Sequence, residues 1–330
     1  MSGLIDAHAR TIDYMRISVT DRCNLRCRYC MPDQGVTHLP HAEILSYEEI
    51  LRLARVAIGC GVTKIRITGG EPLVRKGVIS FIERLSALPG MKDVTLTTNG
   101  VLLASCAADL KRAGLRRVNI SLDTLKREKY RFITRRDSLP QVLSGIEAAQ
   151  QAGLTPVKIN CVAIRGFNDE EILDFARLSI EHPFHVRFIE FMPLGENDYW
   201  SEDKALHAPD ILRAIRVRYQ LEPISSKKNQ SGPARRFRIR GGAGEIGIIS
   251  ALSEHFCDTC NRIRLTPDGR LRNCLFSDEE VNIKEALRSG ATDEELDQII
   301  RESIRHKPSG HRLQEDASHK CKRSMWKIGG

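Results

Sequence analysis

Between residues 15 and 191 the chain repeats one pattern six times: a short run of β-branched and apolar residues, then a longer segment with helical spacing. The short runs are 15–19, 64–68, 94–98, 118–122, 157–162 and 186–191. Helical spacing follows near 75–88, 102–112 and 140–152. Ser46-Tyr47-Glu48-Glu49 is a capping box for a helix running to Gly59, and Asn168-Asp169-Glu170-Glu171 is a second helix start. Strands that alternate with helices at about 30 residues pair in parallel through right-handed crossovers. Six such units are fewer than the eight of a closed barrel. The expected fold is therefore α/β, a partial (βα)6 TIM-like barrel, with a doubly wound sheet as the alternative. Both place chemistry at the C-terminal ends of the strands. Those ends carry Cys23–Cys30, Gly69-Gly70-Glu71-Pro72, Asn99-Gly100, Asp123-Thr124 and Met192-Pro193.

The character changes after residue 222. A polar stretch over 225–232 precedes two period-two runs, 236–240 and 245–249, around a Gly-rich turn. A second pair, 263–266 and 270–272, flanks the turn Pro267-Asp268-Gly269. This divides the chain into a barrel over 1–222 and a small C-terminal α+β domain over 223–330.

Six of the ten cysteines fall in two clusters. Cys23, Cys27 and Cys30 form C-x3-C-x2-C; Cys257, Cys260 and Cys274 form C-x2-C-x13-C, which the second hairpin folds together. Three thiolates on a four-iron cube leave one iron open to bind a small molecule. Zinc is the alternative. It usually takes four ligands, which the first run lacks, whereas His255 could complete the second set. Cys60, Cys106 and Cys161 read as small hydrophobes, and Cys321 is left open.

No apolar run reaches membrane-spanning length and the N-terminus has no secretory pattern, so a cytoplasmic location without a membrane partner is expected. A net charge of +9 fits either a solvated surface or an anionic substrate. Aromatic content of 5% leaves little material for base stacking, against a nucleic-acid partner. Arg16, Arg66 and Lys158 are charged positions on three predicted strands, with Arg187 on a fourth, and suggest a polar interior. Arg262 and Arg264 alternate around Ile263, so the two cations share a face.

C-x3-C-x2-C with Tyr29 before the last cysteine, followed by Gly69-Gly70-Glu71-Pro72, resembles the radical S-adenosylmethionine (SAM) superfamily. The second triad, the Arg262-Ile263-Arg264 segment and the terminal Gly329-Gly330 extend the resemblance, end to end, to the GTP 3′,8-cyclase family of molybdenum cofactor biosynthesis. The resemblance implies two [4Fe-4S] clusters, one on each triad, with SAM on the first and guanine on the second. It implies that Tyr29, Gly70, Ser121 and Met192 bind SAM, and that Arg16, Arg66, Thr97, Lys158, Arg262, Ile263 and Arg264 bind GTP. Gly329 and Gly330 would reach into the active site. The implied reaction starts with an electron from an external one-electron donor, which cleaves SAM. A 5′-deoxyadenosyl radical takes the 3′ hydrogen of GTP, and the ribose closes on guanine C8. The product, 3′,8-cyclo-7,8-dihydro-GTP, would pass to a downstream cyclic pyranopterin phosphate synthase. The resemblance also admits a homodimer.

Overall fold

The computed structural model describes residues 3–195, 199–225, 232–311, 321 and 323–329. The six expected strands are present: β1 (Tyr14–Ser18), β2 (Lys64–Thr68), β3 (Asp93–Thr98), β4 (Arg117–Ser121), β5 (Lys158–Ala163) and β6 (His185–Glu190). Between them run α1 (Tyr47–Gly59), α2 (Val78–Ser86), α3 (Ala107–Arg112), α4 (Arg127–Thr134), α5 (Leu139–Gln151) and α6 (Ile172–Glu181), with α7 (Ala208–Arg216) after β6. The capping box at Ser46 forms as the sequence predicts: its hydroxyl accepts from Glu49 N–H and the Glu49 carboxylate accepts from Ser46 N–H. Asn168 does not cap α6. Its side chain instead donates to the carbonyls of Asp123 (2.7 Å) and Val162 (2.8 Å) and accepts from Ile164 N–H, tying the β4 and β5 exits together. α4 was not expected, because its apolar face is only Tyr130, Ile133 and Thr134 in an otherwise charged stretch.

The remaining strands are β7 (Leu221–Pro223), β8 (Arg235–Ile239), β9 (Glu245–Ile249), β10 (Arg262–Leu265), β11 (Arg270–Arg272) and β12 (Val281–Asn282). Helices α8 (Ile283–Arg288), α9 (Asp293–Arg305) and the short α10 (Met325–Ile328) follow. The strands after residue 222 do not build a separate sheet. β9 pairs in parallel with β6, and β10 pairs in parallel with β1. The result is one twelve-stranded sheet, ordered β12-β11-β10-β1-β2-β3-β4-β5-β6-β9-β8-β7, in which the six-stranded barrel is extended at both edges.

Inward and outward residues alternate. Ile65 and Ile67 are fully buried in one core with the helix residues Leu53 and Phe81. On the other face, Arg16 of β1, Thr97 of β3, Asn160 of β5, Ile189 of β6, Ile249 of β9 and Arg262 of β10 line a single cavity of about 310 Å³. A flat sheet cannot bring both edges to one cavity, so the sheet curls around it.

Candidate active site

The cavity runs along the strands with both cysteine triads in its wall: Cys23, Cys27 and Cys30 at the C-terminal end of β1, and Cys257, Cys260 and Cys274 at the opposite end, where Cys260 precedes β10 and Cys274 follows the antiparallel β11. Cys23, Cys27 and Cys30 follow β1. A tight turn, with Cys30 N–H and Met31 N–H both donating to the Cys27 carbonyl at 2.9 Å, folds the run on itself. α4 holds the run from outside: Arg28 N–H donates to Ile133 O, and Arg135 donates to the carbonyls of Arg26 and Met31. The Cys23 sulfur accepts from Leu25 N–H (3.4 Å) and from the Asn99 side-chain amide (3.8 Å). Burial pushes the Cys23 thiol up to about 11 and the Cys30 thiol up to about 12, and the neighbouring thiols add to the rise at Cys27 and Cys30. Three half-buried thiols held protonated in this setting fit a cationic metal centre that would hold them as thiolates. Among the described residues no three His, Cys, Asp or Glu side chains converge closely enough for one ion. A cube makes a different demand, since each thiolate binds its own iron.

The loop after β2 packs directly on the residues leading into this run. Gly70 N–H donates to Thr20 O and Glu71 N–H to Arg22 O, both at 2.8 Å, and neither Gly69 nor Gly70 has space for a side chain. The resemblance implies that Gly70 binds SAM; the structure adds a packing requirement between two loops. Glu71, fully buried, accepts from Thr98 Oγ1 and from the N–H groups of Asn99 and Leu73, joining the β2 and β3 exits. Burial raises its carboxyl to about 7 against those hydrogen bonds.

Of the predicted SAM contacts, Tyr29, Gly70, Ser121 and Met192 all line the cavity. The Tyr29 hydroxyl donates to Asp123 at 2.6 Å and its ring meets Phe191 edge-on. The other Asp123 oxygen accepts from Val162 N–H. Burial holds the Asp123 carboxyl up to about 6. Asp123 was visible in the sequence only as an acidic residue at a strand exit.

Cys257, Cys260 and Cys274 stand in the same cavity wall, beside Asn273, Phe276, His255 and His311. Two long cations from elsewhere in the chain brace them. Arg10 donates to the carbonyls of Cys257, Pro308 and Ser309, and Lys307 to those of Arg262 and Asn273. Burial alone would raise the Cys260 thiol, but Arg262 and Lys307 outweigh it and bring it to about 6. His255 lies edge-on to His311, with ring centres 5.1 Å apart. Nothing in the spacing of the sequence pointed to Arg10 or Lys307.

The wall between the two triads is cationic. Arg264, Arg16 and Arg66 sit side by side on β10, β1 and β2, in one row across the sheet. Lateral neighbours in a sheet project to the same face, so three guanidiniums point inward together. Arg16, Thr97, Arg262 and Arg264 reach the cavity surface. Arg66 and Lys158 do not line it. Arg66 lies over the Tyr14 ring at 5.4 Å, and Lys158 shares a row with Thr97 and Asn119. Burial, reinforced by Arg187, Arg117 and Arg66, pulls Lys158 down to about 6. Nε of Arg16, Nε of Arg66 and Oγ1 of Thr97 are buried without a hydrogen-bond partner. Unsatisfied buried donors beside uncompensated cations are what an anion would complete. Ile263 differs from the expectation. Its side chain is buried in the main core, because period-two alternation sends it away from Arg262 and Arg264.

At the tail, Gly329 has φ 87° and fits between Ser18 and Thr68, and its carbonyl accepts from Arg264 at 3.1 Å. Gly330 lies outside the described residues. Trp326, which the sequence did not single out, is buried in the cavity wall, and its backbone N–H donates to the Cys30 sulfur.

Residues 17–179 match the Radical SAM superfamily and residues 184–313 match the family described as Molybdenum Cofactor Synthesis C. Among solved structures, SuiB from Streptococcus suis superposes with a TM-score of 0.64 at 15% identity, covering 96% of this chain and 77% of that one. That likeness is one of fold. A curled parallel sheet with a cysteine triad and a glycine loop on one rim makes this chain a radical SAM enzyme, a class whose members use a [4Fe-4S] cluster with SAM. The GTP 3′,8-cyclase of Syntrophomonas wolfei is 50% identical over 99% of this chain and 100% of its own length, and that of Moorella thermoacetica is 52% identical over 98% and 99%. The chain belongs to the GTP 3′,8-cyclase family.

Proposed function

We propose that the chain converts GTP to 3′,8-cyclo-7,8-dihydro-GTP, the first step of molybdenum cofactor biosynthesis. The observation that carries the reading is one cavity with a cysteine triad at each end of the strands and the row Arg264–Arg16–Arg66 at mid-strand between them. Cys23, Cys27 and Cys30 would hold the cluster that takes SAM, and Cys257, Cys260 and Cys274 a second [4Fe-4S] cluster. When bound, the first cluster supplies the electron that cleaves SAM and so yields the radical that takes the 3′ hydrogen of GTP. The chain's own residues bind, orient and exclude water. Tyr29, Gly70, Ser121 and Met192 would hold SAM, with Asp123 fixing the Tyr29 ring. Arg16, Arg262 and Arg264 would hold the triphosphate, backed by Arg66 and Lys158, with Thr97 donating a hydrogen bond. Gly329, seated against Ser18 and Thr68, and Gly330 after it would reach into the active site.

The division near residue 222, an external one-electron donor, a downstream cyclic pyranopterin phosphate synthase, a cytoplasmic location and a homodimer complete the proposal. No helix among the described residues is long and apolar enough to cross a membrane. The test is anaerobic incubation of reconstituted protein with GTP, SAM and dithionite, followed by chromatography and mass spectrometry of the nucleotide. Cyclised GTP with stoichiometric 5′-deoxyadenosine is expected. 5′-Deoxyadenosine without consumption of GTP would point to another substrate.

A further inference from the structure

The last described residues are held at three places. Gly195 N–H donates to the Cys321 carbonyl at 2.9 Å. Arg323 then lays its guanidinium between two carboxylates: Nη1 lies 3.0 Å from both oxygens of Glu280, and Nη2 lies 2.5 Å from Asp268. The three side chains are only 14–19% exposed. From there Ser324 starts α10, and Gly329 ends wedged against Ser18 and Thr68, holding one arm of Arg264. Asp268 sits in the turn between β10 and β11, and Glu280 just before β12, where it also pairs with Arg272. β10 and β11 connect Cys260 to Cys274, and β12 pairs with β11. The clamp therefore ties the tail to the frame of the second triad.

We propose that Arg323 is a positioning residue whose ion pairs with Asp268 and Glu280 set where Gly329 lies against Ser18 and Thr68, and through it the orientation of Arg264. Arg323 itself does not line the cavity. Its effect on turnover rests on the cavity being the GTP site; its effect on the tail does not. A half-buried pair made by a forked cation is worth more than an exposed one, and lysine keeps the charge without the fork.

The test compares full-length, cluster-loaded parent, Arg323→Ala and Arg323→Lys proteins by amide hydrogen exchange and by kinetics. In Arg323→Ala, exchange at 324–329 should accelerate by about tenfold or more while the barrel strands keep their protection. kcat should fall by about tenfold or more with iron content unchanged, and Arg323→Lys should recover part of both. Should Arg323→Ala not fold, Asp268→Asn asks the same question with little change of size. Unchanged exchange at 324–329, or acceleration spread across the barrel, would overturn the proposal. A parent that leaves GTP intact but whose tail exchange responds as expected would reject the substrate reading and keep the clamp.

Discussion

A Cβ on Gly70 would lie 2.5 Å from the carbonyl oxygen of Arg22, the residue before Cys23. Neither atom can yield without moving a loop, because Gly70 N–H is held by Thr20 and Glu71 N–H by Arg22 itself. The glycine loop and the first cysteine run are thus one packed unit. Gly70→Ala should disturb the first cluster selectively. Iron per chain should drop from about eight towards about four, with thermal stability reduced by about 1–3 kcal/mol. Iron and sulfide analysis with electron paramagnetic resonance checks this, and a variant with a full complement of iron would show that the contact is dispensable.

The second triad predicts a separation of half-reactions. Cys274→Ser should still cleave SAM on reduction, because Cys23, Cys27 and Cys30 are untouched, but should not cyclise GTP. The measurement is 5′-deoxyadenosine against cyclised nucleotide in one reaction. Full cyclase activity would remove the second triad from the mechanism.

Arg264→Ala should weaken GTP binding by about 10–100-fold, the value of losing charge-assisted hydrogen bonds to phosphate. Arg264 stands in the row with Arg16 and Arg66 and also anchors Gly329, so kcat should fall as well. An unchanged dissociation constant by calorimetry would place the triphosphate elsewhere.

Lys158 gives binding a pH dependence. Its ammonium is held near 6 by burial first and by Arg187, Arg117 and Arg66 next, so at neutral pH the free protein carries it mostly uncharged. An arriving polyphosphate favours the charged form, so GTP binding should take up about one proton. Affinity should weaken as pH rises above about 6, by at most about tenfold per unit. For the free protein the same depression means that stability rises with pH from about 6 to the ordinary lysine range, since only the unfolded chain keeps the proton there. Calorimetry in buffers of different ionisation enthalpy reads the uptake directly, and Lys158→Met should abolish it.

Asn99 donates to the Cys23 sulfur and to Asn24 Oδ1 at 2.7 Å. Hydrogen bonds to cluster sulfurs favour the reduced, more negative state. In a protein lacking the second triad, Asn99→Ala should therefore lower the reduction potential of the first cluster, read by a redox titration followed by electron paramagnetic resonance. A potential equal to the parent's would show that this contact is structural only.

The strand–helix repeat, the two cysteine triads and the glycine loop are local patterns, and one chain segment is enough to specify each. That is why the barrel, the cluster runs and the parity of Arg262 and Arg264 were legible from residue order alone. Parity also decided Ile263, although the motif had placed it with its neighbours. Other features depend on which strands become neighbours, and no local pattern records that. β9 and β10 join opposite edges of one sheet because each finds an open parallel edge to satisfy its backbone, so the expected separate domain shares the barrel's sheet. The row Arg264–Arg16–Arg66 exists only through that register. α4 forms because its small apolar face covers the cysteine run, which outweighs a weak intrinsic signal. Asp123, Arg10, Lys307 and Trp326 act on partners far away in sequence, through hydrogen bonds that carry no periodicity. The sequence determined the chemistry available to this protein; the tertiary structure decided which cations, thiols and tail residues share one cavity, because that is set by strand pairing and burial across the whole chain.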